Sequence, residues 1–260
     1  MNLQVLVSTM HQTDHSILDK MNIQSDAIVI NQCDRNSFEE FDYNGNSVRF
    51  LSLAERGVGL SRNTSLMRAT AEICLFADDD VTYVNEYKRI ILDSFASNPK
   101  ADVIMFNVPS TNPDRVGPTI SKWKRLHFYN CFRYGTFQIA VRTESIRKAN
   151  ISFSLLFGGG AKYSSGEDSL FINDCLKKGL KLYRSPDTIG SVTHKESTWF
   201  HGYTDKYFID KGVFFSCLSK KWAVLYCLQF IFRHYKLFIK EKSILEAYRL
   251  MIKGTRLIAR

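Results

Sequence analysis

The run "CLFADDDVTYV", residues 74 to 84, places Asp78, Asp79 and Asp80 side by side directly after an apolar stretch. Three adjacent carboxylates repel one another, so a folded chain must bring them a counter-charge. A hard divalent cation such as Mn or Mg is one answer, because it takes oxygen ligands and shares one or two carboxylates with substrate phosphates. Asp78 and Asp80, one residue apart, can hold that ion and leave its outer face to a diphosphate. The ion then neutralises charge building on a phosphate leaving group. The plainer use of such a triplet is a solvated helix start, which acids favour. A second acidic pair, Glu167 and Asp168, follows the glycines 158–160. At the start of a helix behind a flexible glycine loop it presents a general base, or else an ordinary acidic first turn. His194, in "SVTHKESTW", follows a short strand and offers a third metal ligand or a phosphate contact.

The elements around these acids alternate. Residues 3–7, 27–31, 47–53, 72–77 and 102–108 read as strands, and 137–141 as another. Helical spacing falls on 14–22, 61–71 (with Ser61 as its cap), 85–97 up to Asn98-Pro99, and 143–149. A further helix opens at Glu167 and closes at Lys177, Lys178 and Gly179. Such alternation predicts an α/β sandwich around a mainly parallel sheet, with ligands beyond the carboxyl ends of the strands. The acidic triplet sits at one such end. From about residue 203 the chain reads as helices.

In order and spacing, these segments resemble family 2 glycosyltransferases. "ERGVGLSRNTSLMRATAEICLFADDDV" is similar to the family's glycine turn, Arg-Asn pair, helix, strand and D-x-D motif. "SGEDSLFINDCLKKG" is similar to its acidic acceptor-site motif, and "VTHKES" to its late histidine. The resemblance spans about residues 3 to 195. It implies a GT-A fold and transfer of a sugar from a nucleotide-sugar, with inversion at the anomeric carbon. Position by position, it implies that Asp80 is the direct metal ligand, with Asp78 at the other end of the motif and Asp79 touching nucleotide or sugar. It further implies that Asp168 is the base that deprotonates the acceptor hydroxyl, that Glu167 orients acceptor or base, and that His194 binds metal or diphosphate. Ser8 and Thr9 fall where the family holds the nucleoside, and Arg62 where a basic residue approaches the nucleotide. One departure concerns the second strand, which ends "INQCD" where the family commonly carries an acidic pair. Asn31 and Gln32 stand there, and amides can still pair with a uracil edge. A UDP-sugar is the donor expected from the family.

The remaining chemistry narrows the class. Hydrophobic residues make up 45% of 260, enough for a real core. Six scattered cysteines form no C-x-x-C pair, which speaks against a zinc knuckle or disulfide framework. No signal peptide precedes the first strand, and the longest apolar run, 222–232, is too short to span a bilayer. The net charge of +9 is concentrated at the end: residues 216–260 hold ten Lys/Arg against Glu241 and Glu246. Arg249, Lys253, Arg256 and Arg260 form one helical stripe beside Ile244, Tyr248, Met251 and Ile258. Arg233, Lys236 and Lys240 repeat the spacing among aromatics. Such helices suit an anionic membrane surface, or pack on the core with a solvated charged face. No nucleic-acid-binding motif accompanies them.

The expectation is therefore a catalytic domain over residues 1–200 and a basic, membrane-proximal helical extension over 201–260. The enzyme would act peripherally at the cytoplasmic face of the cell membrane on a saccharide acceptor, lipid-linked, in surface polysaccharide synthesis. A nucleotidyltransferase is the nearest rival, but "LVSTMHQTD" lacks its glycine-rich basic loop. A non-enzymatic membrane-surface or Ca-binding module is the other, but no EF-hand pattern surrounds the triplet.

Overall fold

A computed structural model describes residues 1–115, 117–193 and 202–257. In chain order the elements are β1 (Leu3–Met10), α1 (Ile17–Lys20), β2 (Asp26–Gln32), β3 (Ser37–Tyr43), β4 (Asn46–Leu53), α2 (Val58–Arg68), β5 (Ile73–Asp78), β6 (Val81–Tyr83), α3 (Tyr87–Ser97), β7 (Val103–Asn107), β8 (Lys124–Arg125), β9 (Ile139–Arg142), α4 (Thr143–Lys148), α5 (Glu167–Lys177), β10 (Leu182–Thr188), β11 (Gly190–Val192), α6 (Asp205–Leu218), α7 (Ala223–Phe238) and α8 (Ile244–Arg256).

One sheet runs in the order β3-β4-β2-β1-β5-β9-β7-β10-β8. Strands β4, β2, β1 and β5 are parallel neighbours, and β7 and β10 run the same way. Strands β3, β8 and β9 run against them. The strand interiors are continuously apolar because both faces are covered. Alternation along each strand divides the core. Val5, Val7, Leu75 and Ala77 pack with Ile17, Leu18, Tyr87, Ile91 and Phe95 on one side. Leu6, Cys74 and Phe76 pack with Leu66, Ile146, Phe171 and Ile172 on the other. Each large side chain so buried contributes about 1.5–3 kcal/mol relative to exposure.

Three local features depart from the sequence expectation. Strand β3 was not anticipated. It folds back on β4 through Asn44 and Gly45, at φ 53° and 77°, the paired positive angles that a tight hairpin requires. Strand β9 inserts antiparallel between β5 and β7, where a simple strand-helix alternation would set parallel neighbours. Helix α2 begins at Val58 rather than Ser61, with Gly57 at its N-cap. Ser61 is buried one turn in, and its hydroxyl donates to Ser8 Oγ at 2.9 Å.

After the sheet come three helices. Thr204 and Ser243 cap α6 and α8, accepting from the amides of Tyr207 and Glu246; Ser243 and Glu246 have the spacing of a capping box. Helices α6 and α8 touch backbone to backbone. A Cβ on Gly212 would sit 1.9 Å from the Met251 carbonyl oxygen, and one on Gly254 would sit 2.1 Å from that of Ile209. Among the described residues no helix is long and apolar enough to cross a membrane, and the six cysteines are unpaired thiols.

Candidate active site

The strand register assembles the site. Ser8 lies beside Ile30 on one flank and Asp78 on the other; Thr9 lies beside Asn31 and Met10 beside Gln32. The polar residues of three strands therefore meet at their carboxyl ends, while β6 turns away after Asp79 and Asp80 to pair with β11.

The counter-charge for Asp78 is Arg62, on α2. Its Nη2 donates to Asp78 Oδ1 at 2.8 Å and its Nη1 to Glu167 Oε1 at 2.9 Å. The Arg62 side chain is only 5% exposed, with its Cζ 5.5 Å from the centre of the Phe153 ring. That ring stacks on Phe171 at 4.2 Å and meets Phe76 edge-on. Burial alone would favour losing the proton, but Asp78 and Glu167 hold the guanidinium firmly charged. Arg62 thus joins the two acidic motifs, which stand far apart in sequence, and it faces them rather than solvent.

Asp79 accepts from Thr9 Oγ1 at 2.7 Å, and Gln12 Nε2 donates to the same hydroxyl at 2.8 Å. Asp80 is tied through its main chain: Thr193 donates to its carbonyl from N at 3.0 Å and from Oγ1 at 3.3 Å. Thr193 is the last described residue before His194, which itself lies outside the described residues, as do Ile258 and Arg260 of the basic tail.

The two amides expected near a nucleobase are turned to backbone. Asn31 Oδ1 accepts from the Gln12 amide, and its Nδ2 donates to Gln12 O and Ser52 Oγ. Gln32 closes a pair of 3.1 Å bonds on N and O of Gly57. These bonds shape the loop after β1 and the turn into α2.

Glu167 and Asp168 open α5 as expected. Gly158 and Gly166 before them stand where close approach leaves no room for a side chain. A Cβ on Gly158, at φ 101°, would meet Val58 Cγ1 at 2.6 Å and the Glu167 carboxyl at 2.8 Å. Val58 N donates to Gly159 O at 2.9 Å, stitching this loop to the start of α2. Gly166, at φ 128°, leaves room only for the Phe214 ring of α6. Asp168 accepts from the Ser169 amide at 2.6 Å. Burial, with the Glu167 charge behind it, pushes its carboxyl up to about 6, although the Ser169 amide, Arg62 and Lys211 pull the other way.

Lys211 escaped the sequence reading. It sits on α6 with its Nζ 5.4 Å from the Phe214 ring and 5.8 Å from that of Tyr207. Burial lowers its pKa, while Asp168 and Asp210 resist. Asp210 ties the loop before α5 to the same helix, accepting from Ser164 N and Oγ and from Lys206 Nζ. The signal was present in "YFIDKGVFF", where an Asp-Lys pair interrupts an apolar run.

Asp78, Asp79 and Asp80 are partly exposed at the carboxyl end of the central strand β5, and an all-oxygen donor set suits a hard divalent cation. Among the described residues no group of three His, Cys, Asp or Glu converges as a complete metal cage. A concavity of about 740 Å³ is lined by Tyr248, Arg249, Ile252, Lys253, Arg256 and Leu257 of the tail and includes none of these acids.

No family model matches the sequence, and no curated protein does. Solved structures do match. The crystal structure of S. aureus TarS residues 1–349 in complex with UDP-GlcNAc superposes with a TM-score of 0.68 at 17% identity, over 98% of this chain and 79% of that one. In the S. aureus TarS crystal structure with the longer chain the TM-score is 0.63 at 17% identity, over 94% of this chain and 46% of that one. The mannosyltransferase PcManGT from Pyrobaculum calidifontis, in complex with GDP-Man and Mn2+, gives 0.51 at 12% identity, over 99% and 75%. The chain has the GT-A type of α/β fold.

Proposed function

We propose that this protein is an inverting glycosyltransferase, moving a sugar from a nucleotide-sugar, UDP-linked by preference, to a saccharide acceptor. The observation that carries the reading is the Asp78–Arg62–Glu167 bridge, which locks the triplet at the carboxyl end of β5 to the helix bearing Asp168. The solved structures of this fold that hold UDP-GlcNAc or GDP-Man with Mn2+ support it.

An acceptor hydroxyl is a poor nucleophile until its proton has somewhere to go. Asp168 takes that proton as the acceptor oxygen bonds to the anomeric carbon. The bond from that carbon to the diphosphate oxygen breaks on the opposite side, and the nucleoside diphosphate leaves with the electron pair. A carboxyl with a pKa of about 6 is ionised at neutral pH and still basic enough to accept. Glu167, held by Arg62 and the Gly166 amide, fixes the helix start that carries Asp168. Asp79, positioned by Thr9, faces the nucleotide and sugar. Asp78 and Asp80, with His194, would hold a Mn or Mg ion, which when bound neutralises the departing diphosphate.

A panel of nucleotide-sugars with Mn or Mg tests the reading by nucleoside diphosphate release. We expect release with one donor, lost in Asp80→Ala and Asp168→Asn. Release of pyrophosphate instead would make the protein a nucleotidyltransferase. The cationic C-terminal helices favour a lipid-linked acceptor, used at the cytoplasmic face of the cell membrane during surface polysaccharide synthesis.

A further inference from the structure

Helix α7 has two apolar sides, and the core uses one. Ala223, Cys227, Ile231 and Phe238 are buried against Phe208, Ala247 and Met251. Leu225, Phe232 and Ile239, seven residues apart and so on one side of the helical spiral, are 54%, 71% and 47% exposed. Tyr235, between them in the same stripe, is 37% exposed, and Trp222 at the helix start is 48% exposed. A helix that has already spent one apolar side on the core ordinarily shows water a charged one.

The charges say what the second side meets. From Lys211 through Lys240 the chain has six Lys/Arg and no Asp or Glu. A second copy docked stripe to stripe would set Arg233, Lys236 and Lys240 against their own kind with no acid to answer them. Anionic headgroups answer them directly, while Leu225, Phe232 and Ile239 enter the acyl boundary and Trp222 suits the interface. At 16 residues α7 lies along such a surface and does not cross it. Helix α8, whose basic stripe drew attention in the sequence, buries Ala247, Met251 and Gly254 against α6 and carries no aromatic ring as exposed as that of Phe232.

We infer that the outer face of α7, centred on Phe232, is a docking surface for an anionic lipid bilayer. It rests on the transferase reading only for its purpose, since a lipid-linked acceptor would be met there.

The test is flotation of the full chain, without nucleotide, with vesicles of phosphatidylcholine alone or mixed with phosphatidylglycerol. We expect binding to the mixed vesicles only, weakened by salt, and reduced about tenfold by Phe232→Glu and by the pair Lys236→Glu and Lys240→Glu. Melting temperature and nucleoside diphosphate release from free nucleotide-sugar should not change, because these side chains touch neither core nor site. Equal flotation of wild type and variants overturns the proposal, as does absence of binding to either vesicle. A dimer that Phe232→Glu dissolves would assign the face to a second copy and overturn it too. Vesicle binding without any nucleoside diphosphate release would leave this inference standing and sink the transferase reading instead.

Discussion

Arg62 is the residue on which the site turns. A buried cation with two carboxylates leaves unpaired charge behind when it is removed, a loss of about 3–5 kcal/mol in comparable cases. Arg62→Met should therefore lower stability by that order and abolish turnover, as read by chemical denaturation and diphosphate release. Arg62→Lys should fail nearly as badly, because one ammonium cannot reproduce the fork that reaches Asp78 and Glu167. Asp168 makes a pH prediction with a definite sign. Its folded pKa of about 6 lies above the ordinary 3.8, so the folded chain holds an extra proton between those values. The associated stability is present below about pH 4 and lost as pH rises through 6. Asp168→Asn should then be neutral or stabilising at pH 8, on the order of 1 kcal/mol, while cutting turnover about 100-fold or more. In the native enzyme kcat/KM should fall below about pH 6, where the base is protonated. The groups facing Asp168 are Glu167, Arg62 and Lys211. Lys211→Met should raise that acid limb, and Lys211→Arg should restore it, which a merely structural role would not do.

At the scale of elements, the glycine loop before α5 is a fitted part. Gly158→Ala pushes a methyl into Val58 and the Glu167 carboxyl, at a backbone angle side chains avoid. Gly45 has a similar angle, φ 77°, but open space around it. Thermal melts should show Gly45→Ala costing about 1 kcal/mol and Gly158→Ala costing more, with activity lost only in the second. The sequence "FGGGAKYSSGED" announces a loop and cannot say which kind, because flexibility and close approach select the same residue. Strand β3 was hidden for a related reason: "SFEEFDY" is polar and edge-bound, with little apolar alternation, though Asn44-Gly45 marks the hairpin.

For the whole molecule, the C-terminal helices are joined to the site. Helix α6 covers Phe157, Tyr163 and Leu170 with Val213 and Phe214, and α8 holds α6 through Gly212 and Gly254. Gly212→Val should unseat α8, loosen Lys211 above Asp168 and reduce kcat along with melting temperature, even though the substitution lies far along the chain from the triplet. Local order decided much of this protein. The continuous apolar runs, the helix stops and the placing of the acidic pairs at element ends are all consequences of neighbouring residues, and these were readable from sequence. What the chain does with its charges was decided by tertiary structure alone. The partner of Asp78 is an arginine on helix α2, the amides of Asn31 and Gln32 bond backbone and Ser52, and Lys211 of α6 is drawn inward toward the base. Such pairings depend on which distant segments share a desolvated space, and burial makes each charge choose the nearest opposite one, wherever it lies in the sequence.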